Sequence, residues 1–102
     1  MELKKPYYAV IFTSIRTEGD HGYAKMAEEM ETLAKKQPGF LAIESAKDEL
    51  GITVSYWESL EAIADWKVQM DHKEAQKQGI ETWYARYKVR VCRVDREYEF
   101  NK

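Results

Sequence analysis

His72 is the side chain in this 102-residue chain best suited to moving a proton. An imidazole changes charge close to neutral pH, so it serves as a general base with little help from its surroundings. The aromatic supply is large for a small domain: three Trp and seven Tyr, of which all three Trp and three Tyr cluster between positions 56 and 87. Trp66, Tyr8, Phe12, Tyr56, Trp57 and Trp83 are the candidates to wall an apolar pocket. Such rings combine apolar area with a polar tip, which suits a ligand cavity or a subunit interface equally well. Tyrosine hydroxyls would orient a bound ligand, or satisfy the rim of an interface. Trp66 stands at helical spacing from Ile63 and Met70, so core packing accounts for it too. His72 also reads as a helix cap or a partner of a backbone carbonyl, and His21, in a glycine-bounded polar loop, reads as solvated.

Other chemistries find no support. Two histidines and one cysteine, widely separated, form no metal-ligand spacing. There is no glycine-rich phosphate loop and no Ser-His-acid set in recognisable context. Lys and Arg total 16 against 18 Asp and Glu, without a basic stripe of the nucleic-acid-binding kind, so neither nucleic acid nor phosphate is an expected partner. Cys92, within Val91-Cys92-Arg93-Val94, reads as a strand residue in a reducing compartment. The amino terminus lacks a signal-peptide core, and no apolar run approaches membrane-spanning length, so a cytoplasmic protein is expected. The charge-rich segments Glu28 to Glu31 and Lys73 to Lys77 read as solvated helix faces.

The elements that must position these residues follow in order. Residues 1–102 form one domain, long enough to bury roughly two-thirds of the unfolded-chain surface. Tyr7 to Arg16 alternates as a strand, with Tyr8, Val10 and Phe12 on one face and Tyr7, Ala9, Ile11 and Ile15 on the other. Both faces are apolar, so helices cover one side and a second copy of the chain is a candidate cover for the other. Asp20 is placed to cap a helix whose stripe is Tyr23, Met26, Ala27, Met30, Leu33 and Ala34, ended by Gln37-Pro38-Gly39. Phe40 to Lys47 forms a hairpin with residues 52–58, placing Phe40 with Ala42, Glu44 and Ala46 opposite Leu41 and Ile43. Ser59 caps a second helix carrying Ile63, Trp66 and Met70. A break is expected near Asp71, with His72 beside it, followed by a further helical segment ending at Gly79. Residues 86–100 read as a long last strand whose tail pairs with another chain. The order β-α-β-β-α-β is ferredoxin-like.

Gln37-Pro38-Gly39-Phe40, Gly51 to Tyr56-Trp57, Ser59-Leu60-Glu61-Ala62-Ile63 with Trp66-Lys67, His72 with Ala75-Gln76, and Trp83-Tyr84 together resemble the antibiotic-biosynthesis-monooxygenase superfamily. The resemblance covers nearly the whole chain. It implies an α+β fold, a ferredoxin-like domain with a four-stranded antiparallel sheet, paired into a dimeric α+β barrel through the sheet faces and the C-terminal strand. It also implies a ligand between the second helix and the sheet. The implied activity is cofactor-independent oxygenation of a small aromatic or enolic compound, without metal or flavin. His72 would act as base beside Trp66, and Tyr8, Phe12, Tyr56, Trp57 and Trp83 would bind substrate. A noncatalytic small-molecule-binding or stress-response dimer is the alternative. Haem degradation ranks lower: Trp66 matches the helix Trp of that branch, but Gln76 stands near the axial His position and no Asn occurs in Tyr7 to Arg16.

Overall fold

The computed structural model describes residues 6–76 and 80–102, and of residues 72–76, 80 and 81 the backbone only. The chain runs β1 (Tyr7–Arg16), α1 (Tyr23–Lys35), β2 (Phe40–Lys47), β3 (Gly51–Trp57), α2 (Leu60–Gln76), α3 (Ile80–Trp83) and β4 (Tyr84–Val94). The four strands form one sheet in the order β2-β3-β1-β4, with every neighbouring pair antiparallel. This is the expected ferredoxin-like arrangement, with the short α3 added before the last strand.

Local chemistry explains the boundaries. Asp20 accepts hydrogen bonds from the Gly22 and Ala24 amides at 3.0 and 3.1 Å, satisfying donors that the first turn of α1 leaves free. The capping carboxylate is the one expected, although Gly22, in a left-handed conformation, occupies the position before the helix. Ser59 Oγ accepts from the Ala62 amide at 3.0 Å and starts α2 in the same way. Between the helices, Gly39 adopts φ 85°, and a Cβ there would lie 2.6 Å from that of Ala62. Its carbonyl accepts from the Glu58 amide at 2.8 Å. The exit of α1 and the start of α2 are therefore pressed together at a position that only glycine suits.

Alternation along β1 and β3 sets two unlike faces. On the helix side Trp57 is fully buried and donates its indole N–H to Ser55 Oγ at 2.9 Å. Trp66 of α2 stacks on it, ring centroids 6.0 Å apart, with Ala34 of α1 completing the buried centre. Val10, Leu33, Phe40, Ala62, Ile63 and Met70 pack around these three. The other face carries Tyr7 and Ala9, both buried, and Tyr56, whose ring meets that of Tyr7 edge-on at 5.9 Å.

Three sequence expectations are corrected. Phe40 does not share a face with Glu44: the β2–β3 register shifts between Phe40 and Ala42, and the extra residue turns Phe40 onto Trp57, edge-to-face at 5.5 Å. No break occurs near Asp71, because α2 continues to Gln76. Neither Pro nor Gly interrupts this stretch, and Lys67 pairs with Asp71 one turn on at 3.1 Å. The last strand starts at Tyr84 and ends at Val94, so residues 95–102 leave the sheet. The expected stop at Gly79 lies outside the described residues.

Candidate functional site

The helices cover the β2, β3 and β1 part of the sheet and leave its β4 edge open. On the helix side, Tyr8, Val10, Phe12 and Ser14 of β1 stand opposite Arg93, Val91, Val89 and Tyr87 of β4. Val91 is 50 % exposed, and Val89 and Tyr87 are each 45 % exposed. That much accessible apolar surface within a sheet, bordered by a helix, forms a trough rather than a core.

Its two ends differ. At one end Phe12 stacks on Tyr87 at 5.4 Å, 18° from parallel, and meets Tyr84 edge-on at 5.5 Å. Tyr84 in turn meets Tyr23 of α1 at 5.7 Å. Arg16 fixes this corner: its guanidinium lies 3.5 Å above the Tyr23 ring, Nε donates to the Trp83 carbonyl at 2.8 Å and Nη2 donates to the Gly19 carbonyl at 3.1 Å. At the other end a groove of about 440 Å³ opens among Tyr8, Leu60, Val91 and Arg93. Arg93 is held there by Asp95 at 2.8 Å. The trough offers stacking faces along its length, with phenol and guanidinium donors at its margins, which suits a planar ring bearing oxygen substituents.

The sequence-derived candidates separate into groups. Tyr8 and Phe12 lie in the trough. Trp57 and Trp66 meet each other in the core beneath the helices, Trp66 being only 7 % exposed. Trp83 is buried at the sheet's end, where its indole N–H donates to the His21 carbonyl at 2.9 Å. Tyr56 projects from the opposite face. His72 belongs to α2, and its side chain lies outside the described residues. His21 is exposed and has φ 48°. Tyr23, Tyr84, Tyr87, Val89 and Val91 belong to the trough but lie outside the sequence-derived set. The alternation of Tyr87, Val89 and Val91 is the available signal, but it does not tell which face of an edge strand is left uncovered.

The face away from the helices holds a second polar-aromatic arrangement. Tyr7 donates its hydroxyl hydrogen to Glu97 of the C-terminal segment, and Tyr56 donates to Glu44 of β2 at 2.7 Å. Each phenol is pushed up to about 12, first by the hydrogen bond to its carboxylate and then by desolvation and the carboxylate's charge. These tyrosines are donors that stay protonated, not bases.

Among the described residues, no group of three or more His, Cys, Asp or Glu is placed to hold a metal, and no helix is long and apolar enough to cross a membrane. The arrangement of elements matches solved structures closely. SnoaB from Streptomyces nogalater, a cofactor-independent oxygenase solved as a point mutant, superposes with a TM-score of 0.72 at 10% identity, over 90% of this chain and 95% of that one. MhuD, also solved as a point mutant, with two manganese protoporphyrin IX molecules per active site, gives a TM-score of 0.66 at 16% identity, over 91% and 99% of the two chains. At these identities the likeness is one of fold. In sequence, the chain is 50% identical over 99 residues to the uncharacterized protein YqjZ of Bacillus subtilis (strain 168), covering 95% of this chain and 87% of that protein. A family profile described as antibiotic biosynthesis monooxygenase matches residues 6–78. With the fold and the profile in agreement over most of its length, this chain belongs to the antibiotic biosynthesis monooxygenase family.

Proposed function

We propose that the protein is a homodimer that binds a small planar aromatic or enolic compound in the trough over β1 and β4 and oxygenates it without metal or flavin. The observation that carries this reading is the half-exposed apolar and aromatic lining, with Phe12 and Tyr87 stacked at one end and Tyr8 beside Arg93 at the other. A deprotonated phenol or enol is electron-rich enough to reduce oxygen itself. A substrate CH₂ activated by that ring becomes C=O, one oxygen atom entering the carbonyl and the other leaving as water, and the substrate supplies all four electrons. The protein's share is a base that takes the first proton and a trough that excludes water. His72 is assigned as the base.

Oxygen uptake with a panel of quinols, anthrones and polyphenols tests the reading. Uptake should be measurable with at least one compound and fall about 100-fold in His72→Ala, the usual scale of general-base catalysis. No uptake across the panel, or uptake untouched by His72→Ala, would sink it. The alternative, a noncatalytic binding dimer, is favoured by the placement of Trp66 in the core instead of the trough. Saturable ligand binding without oxygen uptake would select it.

A further inference from the structure

Tyr84 and Tyr87 stand three positions apart on β4, so strict alternation would send them to opposite faces of the sheet. Both nevertheless meet Phe12, at 5.5 and 5.4 Å. The β1–β4 register shifts between Ile15 and Arg16, which sets Arg16 opposite Tyr84, and such an irregularity re-aims the side chains beside it. The aromatic row of the trough therefore ends at Tyr23, with the Arg16 guanidinium over its ring. Lys47, the last residue of β2, approaches the same ring, its Nζ 4.9 Å from the centroid. One half-buried phenol thus gathers two cations. They stand at about the physiological screening length, roughly 8 Å, or closer, so they repel each other.

No acid offsets either charge. Arg16 donates to carbonyl oxygens only, those of Trp83 at 2.8 Å, Gly19 at 3.1 Å and Asp20 at 3.5 Å. The carboxylate of Asp20 is turned instead to the Gly22 and Ala24 amides. Among the described residues neither Arg16 nor Lys47 is in an ion pair, whereas Arg93, at the other end of the trough, is matched by Asp95. Nε and Nη2 fix the plane of the Arg16 guanidinium, and the two Nη1 hydrogens have no acceptor among the described residues. A guanidinium pinned by carbonyls keeps its full charge and loses little freedom on meeting an anion. We propose that the planar compound held in the trough carries an ionised oxygen group, a carboxylate or a phenolate, and that Arg16 binds this group while Lys47 adds a mobile charge at the rim. The assignment rests on the trough as the ligand site and adds the charge of the ligand and the end at which that charge lies. It does not depend on oxygenation.

The test is titration calorimetry of the full chain with 2-naphthoate and with its uncharged counterpart, 2-naphthamide. Wild type should bind the naphthoate about tenfold more tightly, the scale of one hydrogen bond to a charged group. Arg16→Gln should abolish that preference and leave naphthamide binding unchanged, and Lys25→Gln on α1 should alter neither. Arg16 also ties down the loop before α1, so Lys47→Gln, at an exposed position, supplies a second variant: it should reduce the preference, and the reduction should shrink as salt is raised. 2-Naphthol identifies the oxygen group. Ionisation at lower pH when bound to wild type, but not to Arg16→Gln, assigns a phenolate; an unmoved ionisation beside tight naphthoate binding assigns a carboxylate, and either supports the proposal. Equal binding of naphthoate and naphthamide by wild type overturns it while leaving the trough as a ligand site. A preference for naphthoate that survives both Arg16→Gln and Lys47→Gln overturns it as well, since the charge would then be read elsewhere. Binding of neither compound overturns this proposal and the trough reading together.

Discussion

Tyr7 and Tyr56 each keep a proton that their carboxylate partners need. Both phenols are raised from the ordinary 10 to about 12 in the folded chain, so the folded state holds these protons longer than the unfolded state does. Their contribution to stability is therefore complete below pH about 10 and is lost as pH rises towards 12. Urea denaturation between pH 8 and 12 should show this alkaline decline, and Tyr7→Phe/Tyr56→Phe should flatten it while lowering stability near neutrality. The faces of these tyrosines are legible from alternation alone. Their partners are not: Glu97 is 90 positions from Tyr7 and Glu44 is 12 from Tyr56, and only the sheet register and the course of the C-terminal segment bring them together.

At the scale of elements, α2 joins the core to the trough. Its apolar stripe is readable in the sequence, and Trp66 lies where helical periodicity puts it, against Trp57 and Ala34. Trp66→Ala should destabilise the protein by about 3–5 kcal/mol in chemical denaturation, the usual cost of emptying a large aromatic site. A far smaller loss would mean that Trp66 walls an open cavity instead. The break expected near Asp71 is absent because a run of polar residues is no interruption in itself: every one of them can propagate a helix once the Trp66 face is packed. The trough is only half legible. Periodicity places Tyr87, Val89 and Val91 on one face of β4, but their exposure depends on how far α1 and α2 reach across the sheet, a tertiary property absent from any single segment. Phe40 escapes prediction for a related reason, since one extra residue in a ladder exchanges the faces of everything before it.

For the whole molecule, the sheet face opposite the helices matters most. It carries Ile15 and Ile52, each more than a third exposed, and the departing C-terminal segment presents Tyr98 and Phe100 with 88% and 84% of their surface accessible. Apolar side chains this exposed on a chain of 102 residues are best satisfied by a second copy. Light scattering at micromolar concentration should give twice the chain mass, and removal of residues 96–102 should shift the mass towards one chain. A monomer at that concentration would defeat the dimer reading. The two-sided apolar strands make this surface visible in the sequence, whereas its boundary needs the end of β4 at Val94. One further residue makes the surface directly observable. Cys92 is the single thiol of the chain, exposed, and in register with Ala9 on this face. Its alkylation rate is thus a natural clock for association, reporting without any engineered label how often the face stands uncovered.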